Sequence, residues 1–332
     1  MPVSISIEGA MIMTRTIKTL ALAAAMAMSS GPNLAQDVFV NSSQSGSGNK
    51  LFAEQRDSND YAQITVTQSG TNNVLGDPAT RSGGVLQIAS VGRIHIRQEG
   101  NANAASVAQD GAERSDNRLT QTGSGNLAFF RQENVGGSQL NLTQQGTNNY
   151  AFFEEKNLPD FSINGMQTGS DNRAVVRQEG SGYGGPEIMQ NGALNQVQID
   201  QYGAAYSFVT VSQTGNRNTA TVRQNLTTFT EDQSITQVGN GNTASADEAG
   251  DNNGSTIVQT GNDNLASTKS SLNFSEGLIT QTGSSNRASV VQVGVAAWPV
   301  TPNHASITQT GNGLVASLAQ SGSGNLAAIV QH

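Results

Sequence analysis

A short pattern, Gln-x-Gly-x-x-Asn, returns along this chain of 332 residues at Gln44, Gln68, Gln98, Gln121, Gln144, Gln167, Gln190, Gln213, Gln237, Gln259, Gln281 and Gln320. A degraded copy stands at Gln309, where Leu314 replaces the Asn. From Gln98 to Gln213 every step is 23 residues, and the steps that follow are 24, 22, 22 and 28. The 30-residue step from Gln68 to Gln98 carries GDPATRSGG, read as a loop insertion of the kind that turns tolerate. A fixed period in this range means that each repeat is one supersecondary unit, unable to bury its apolar face alone but able to do so against its neighbours.

Within one unit the side chains alternate with period two, as in a strand with one buried face. In the copy at Gln281 the inward set is Ile279, Gln281 and Gly283, with Thr280 and Thr282 outward; after the turn come Asn286, Ala288, Val290 and Gln292 inward, with Arg287, Ser289 and Val291 outward. The same parity makes Ile96, Leu119, Leu142, Val211, Ile235 and Ile279 core residues of first strands, and Phe130, Phe153 and Ile329 core residues of second strands. Each unit reads as strand, tight turn, strand. The expected fold is all-β, a β-solenoid of stacked strand-turn-strand repeats over residues 44–332, preceded by a short segment, 36–43.

Stacking explains the amides. A buried, unpaired amide costs about 1–3 kcal/mol, but an Asn or Gln above an identical residue donates to one neighbour and accepts from the other, so a ladder satisfies all but its ends. The expected ladder positions are Gln98, Gly100, Asn103 and Gln109; Gln121, Gly123, Asn126 and Gln132; Gln167, Gly169, Asn172 and Gln178; Gln213, Gly215, Asn218 and Gln224; Gln281, Gly283, Asn286 and Gln292; and Gln320, Gly322, Asn325 and Gln331. In the turn, Gly at its first position and Asn at its last are expected to take left-handed backbone conformations. Glu155, Glu248 and Ser270 replace the second Gln of their units, Ala79 stands where that Gln is expected after Gln68, and Val197 replaces the usual Ala.

Only 35% of the residues are hydrophobic and 5% aromatic, so a conventional globular core would be thin. The absence of cysteine removes disulfides, thiolate metal sites and thiol nucleophiles. Near the start, Arg15 and Lys18 precede the apolar run LALAAAMAM and then SSGPNLAQ, which reads as a secretory signal peptide over 1–35, cleaved between Ala27 and Ala35, with a mature start at Gln36. The formal net charge is −8; without residues 1–35, 17 − 2 basic and 25 − 1 acidic residues leave about −9, which argues against nucleic acid as a partner.

Stretches such as QTGSGNLAFFRQ from Gln121 and QTGSDNRAVVRQ from Gln167 resemble curlin repeats, Gln-x-Gly-x-x-Asn-x-Ala-x-x-x-Gln, and the copies at Gln98, Gln213, Gln281 and Gln320 also match at all five fixed positions. The resemblance implies an exported subunit of extracellular amyloid fibres on a Gram-negative cell, serving adhesion and biofilm matrix, as a major or a nucleating minor subunit. It implies as partners further copies of itself, a second curlin subunit, and an outer-membrane secretion pore with accessory proteins.

Other readings compete with a fibre subunit. The TQT triplets beginning at Thr120, Thr280 and Thr308 resemble the outward Thr arrays of ice-binding solenoids, although QQG, QNG and QVG at Gln144, Gln190 and Gln237 break the register. A monomeric surface-binding solenoid, ice-binding or adhesive, is therefore the alternative. Asp247, Asp251 and Asp263 read as solvated turn charges, because the nonapeptide of calcium-binding β-rolls is missing. His95, His304 and His332 lack metal-ligand spacing. The outward charges Arg131, Arg177, Arg223, Glu99 and Glu179 read either as a solvated face or as gatekeepers whose like charges slow premature strand pairing. No catalytic residue, metal, cofactor or small-molecule substrate is expected.

Overall fold

The structure, a computed structural model, describes residues 3–7, 39–56, 62–76, 83–88, 91–180, 182–225, 232–271, 273–294 and 301–332. The apolar run and cleavage region of the expected signal peptide lie outside these residues. The described residues hold strands and turns and no helix. The fold is an all-β β-solenoid of stacked, parallel strand-turn-strand repeats, and the chain divides into two compact units, Met1–Ser162 and Ile163–His332.

The first unit contains β1 (Val3–Ile7), β2 (Phe39–Ser47), β3 (Lys50–Arg56), β4 (Gln63–Thr71), β5 (Val74–Leu75), β6 (Gly84–Ile88), β7 (Val91–Asn101), β8 (Ala104–Asp110), β9 (Glu113–Ser124), β10 (Leu127–Gly136), β11 (Gln139–Thr147) and β12 (Tyr150–Pro159). Strands carrying the first Gln of each repeat stack in parallel as a leading sheet, β2-β4-β7-β9-β11. Those carrying the second Gln stack as a trailing sheet running from β3 through β5 and β6 to β8, β10 and β12, while β1 pairs antiparallel with β3. Sequence neighbours such as β7 and β8 lie in opposite sheets, so the turn between them is an arc between sheets. The interior between the sheets is filled by buried apolar and amide side chains. Ile96, Leu119, Leu142, Phe130 and Phe153 are at most 3% exposed, and the rings of Phe130 and Phe153 stack with centroids 5.5 Å apart.

The long insertion after Gln68 does not sit in a turn. β5 and β6 together fill one strand position: Leu75 pairs with Leu51 and Ala105, and the ladder resumes with Gly84 on Ser106 and Val85 on Ala53 and Val107. The loop leaves and re-enters in mid-strand at glycine. A Cβ on Gly76 would stand 2.5 Å from the Gly84 nitrogen, so only a glycine lets the two ends close without breaking the register. The second Gln of this repeat is accordingly Gln87, paired with Gln55 and Gln109, and the expectation that Ala79 occupies that position is corrected.

The second unit contains β13 (Ser162–Ser170), β14 (Arg173–Glu179), β15 (Gly182–Ala193), β16 (Gln196–Tyr202), β17 (Ala205–Asn216), β18 (Thr219–Asn225), β19 (Gln233–Asn240), β20 (Thr243–Ala249), β21 (Asn253–Asn262), β22 (Leu265–Ser271), β23 (Ser275–Ser284), β24 (Arg287–Val293), β25 (Asn303–Asn312), β26 (Val315–Ser321) and β27 (Leu326–Gln331). Odd-numbered strands form its leading sheet and even-numbered strands its trailing sheet, every pairing parallel. Val211, Ile235 and Ile279 are fully buried in this interior.

Candidate functional site: amide ladders and free strand edges

In the first unit the leading Gln side chains form a relay. Gln44 donates to Gln68, Gln68 to Gln98, Gln98 to Gln121 and Gln121 to Gln144, with Nε2–Oε1 distances of 2.5–2.8 Å. Each Nε2 has a second proton, and that of Gln121 reaches the Ala104 carbonyl at 3.0 Å. The second unit repeats the relay from Gln167 through Gln190, Gln213, Gln237, Gln259, Gln281 and Gln309 to Gln331. The Asn ladder runs in the opposite sense. Asn126 donates its backbone N–H and its Nδ2 to the Oδ1 of Asn103 in the preceding rung, and a further Nδ2 bond reaches the Gly146 carbonyl of the following rung. Asn195 and Asn218 in the second unit do the same with Asn172 and Asn195.

The turn differs in one respect from the sequence expectation. Gly at the first position is left-handed, at φ +114° for Gly123 and +112° for Gly215. The second left-handed position is the residue before the Asn, not the Asn: Gly125, Asn148, Asp171, Ser285 and even Leu194 and Arg217 carry it. The ladder Asn must aim its amide inward along the stack, and the preceding residue, free of that duty, takes the strained backbone. Gly is demanded twice over, because a Cβ on Gly123 would lie 2.1 Å from the Gly146 carbonyl oxygen.

The trailing ladder of the first unit runs Gln55, Gln87, Gln109, Gln132 and then Glu155, which accepts from Gln132 at 2.8 Å. Burial pushes the Glu155 carboxyl up to about 8, against the hydrogen bonds of Gln132 and Ser138, which pull it down. It is therefore protonated at neutral pH and shaped like the Gln it replaces. In the second unit Gln178 donates to Gln201 and Gln201 to Gln224. Glu248 lies in register with Gln224 and Ser270 and accepts from Gln233; Ser270 contacts Gln292, which donates to Gln320.

That last bond relocates the final copy of the pattern. Gln320 belongs to the trailing sheet, under Gln292, while Gln309 is the leading Gln of its rung and Gln331 lies under it. Reading Gln320 as a leading residue is thus corrected. Both arcs use the same turn, with Gly322 and Gly324 left-handed and Asn325 bonded to Asn303 Oδ1, so the pattern by itself does not say which arc it makes. Ile329 consequently stacks on Ile307 in the leading sheet and is half-buried, because no strand pairs with the outer edges of β26 and β27 among the described residues.

The outward charges alternate in sign. In the trailing sheet of the second unit, Arg177, Asp200, Arg223, Asp247 and Lys269 stand one above another in register, with ion pairs Arg177–Asp200 at 3.5 Å and Lys269–Asp247 at 3.6 Å. In the first unit Arg131 pairs with Glu154 at 3.3 Å. Arg177 and Arg223 are therefore separated by an acid in this column, whereas in the first unit Glu133 lies in register with Asp110. Glu99 pairs with Arg97, His95 faces outward on β7, and His304 bonds Glu276 at 2.7 Å.

The sequence pattern of the curlin associated repeat matches residues 250–294 and 303–332. These rungs are similar to curlin repeats. They span β21 to β27 of the β-solenoid described above. No curated protein matches the chain.

Proposed function

We propose that this chain is a secreted, non-enzymatic structural subunit that polymerises outside the cell into curli-like amyloid fibres, with adhesion and biofilm matrix as their use. The observation that carries this reading is an interior that repeats from rung to rung, so that the edge of one copy offers the hydrogen-bonding and apolar groups that any rung requires. β27 presents Ile329 and Gln331 half-buried, in position to receive another rung. An edge of this kind is a template for pairing with another chain. Residues 1–35 act as the export signal in this reading, and further copies, a second curlin subunit and a secretion pore are its partners.

The test is to incubate the purified chain lacking residues 1–35 and examine it by electron microscopy and fibre diffraction. The expected result is unbranched fibres with a meridional reflection near ~4.8 Å. A chain that stays monomeric at every concentration would rule the fibre reading out in favour of a monomeric binding solenoid.

A further inference from the structure

We propose that the outward face of the leading sheet in the second unit, over β17, β19, β21, β23 and β25, is the surface on which a second copy of this chain packs side by side, joining solenoids laterally. This rests on the fibre reading above and adds to it the face by which fibres bundle. The five strands run in unbroken register without a bulge, so their outward side chains form a regular grid of columns. The central column of that grid is Ser212, Thr236, Val258, Thr280 and Thr308. The columns on either side hold Thr, Ser, Val and Leu, and none of the three columns has a charged residue. Val238 and Leu278 stand 44% and 38% exposed in it.

The outward face of the trailing sheet over the same rungs is different, with Arg223, Asp247, Lys269 and Arg287 on it. For an acidic chain with a net charge of −8, lateral approach is least opposed where the surface is neutral. Small side chains in regular columns on an uncharged sheet also suit dry interdigitated contacts between identical sheets. Five strands about 4.8 Å apart, with three outward positions about 6.8 Å apart, give roughly 500 Å² per copy. Two such faces bury about 1,000 Å², below the 1,200–2,000 Å² of a stable pair. Single copies therefore stay unpaired by this face, and pairing appears once a fibre repeats the face many times, as avidity requires.

Two variant pairs test the assignment. Thr236→Lys with Thr280→Lys charges the central column, and Ser245→Lys with Ser289→Lys adds the same charge to the trailing face over neighbouring rungs. Preformed fibres are compared by low-speed pelleting and by width in electron micrographs at low salt, with elongation rate as the check on folding. The threonine variants are expected to elongate at the parent rate yet lose bundles several-fold, while the serine variants bundle like the parent. Mixing the lysine fibres with fibres carrying Thr236→Glu and Thr280→Glu should restore bundling, since opposite charges then meet. Equal bundling in both lysine variants, equal loss in both, no rescue on mixing, or parent fibres that stay single and adsorb instead to ice or cellulose would each overturn the lateral face and leave the fibre reading standing. A parent chain that forms no fibres removes both.

Discussion

At the scale of single residues the turn glycines and one buried acid set the terms. Gly215 has φ +112°, and a Cβ there would stand 2.0 Å from the Gly239 carbonyl oxygen, whereas Gly180, at φ +62°, has open space around it. Gly215→Ala is expected to cost about 3 kcal/mol or more, through clash and strain together, and Gly180→Ala about 1 kcal/mol, through strain alone; chemical denaturation of the soluble chain measures both. Glu155, raised from 4.5 to about 8, holds its proton in the folded state over a range where the unfolded chain has lost it. Its contribution is full below about pH 4.5, falls by about 1.4 kcal/mol per pH unit up to about pH 8, and is gone above. Glu155→Gln should remove this slope, leaving a variant more stable than the parent at pH 8 and above. Parallel stability curves for the two chains would show that Glu155 does not titrate in the interior.

At the scale of the element, inward amides and outward charges do separate jobs. Replacing Gln121 and Asn126 by Ala strips Gln98 of its acceptor at 2.8 Å and Asn149 of one at 3.0 Å, so fibre growth should slow, with a cost of about 1 kcal/mol or more for each unpaired partner. Replacing Thr122 and Ser124, which face outward or lie in the turn, should change growth little. The first pair points inward and the second does not, and equal effects in a thioflavin assay would refute the inward assignment. In the trailing sheet, Asp200 is the acid between Arg177 and Arg223. Asp200→Arg stacks three cations on consecutive strands and is expected to destabilise the second unit by about 1 kcal/mol, a modest figure because Arg177 is 42% exposed. Added salt should shrink that loss, since it screens exposed like charges.

At the scale of the whole molecule, the outer edges of β26 and β27 carry the test of the proposed polymerisation. Ile329 lies under Ile307 and is half-buried, so Ile329→Lys places a charge where the next rung would lay its apolar residue. Seeded elongation should fall sharply while export is unchanged. A variant that elongates at the parent rate would show that growth uses other edges. The alternating charges bear on the same scale: a rung laid on its own copy sets Arg177 on Arg177, whereas a rung laid on its sequence neighbour sets Arg177 on Asp200. The outward charges thus favour stacking within the chain and oppose pairing of identical segments between chains.

The repeat period, the inward parity and the identity of the ladder residues were legible in the sequence, because a stacked interior forces the same side-chain type to recur at the same place. Ile279, Gln281, Asn286 and Gln292 could be placed inside from alternation alone. Three things needed the tertiary structure. Whether Gln320 leads or trails depends on which strand it stacks under, since both arcs are built with the same turn. The insertion after Leu75 interrupts a strand and Gln87 closes the rung, which follows from pairing with β3 and β8 across many residues and not from local spacing. The sign alternation of Arg177, Asp200, Arg223, Asp247 and Lys269 exists only between rungs, because residues some 23 apart become neighbours when the strands stack. Local pattern determines which way a side chain faces; stacking decides what it meets there.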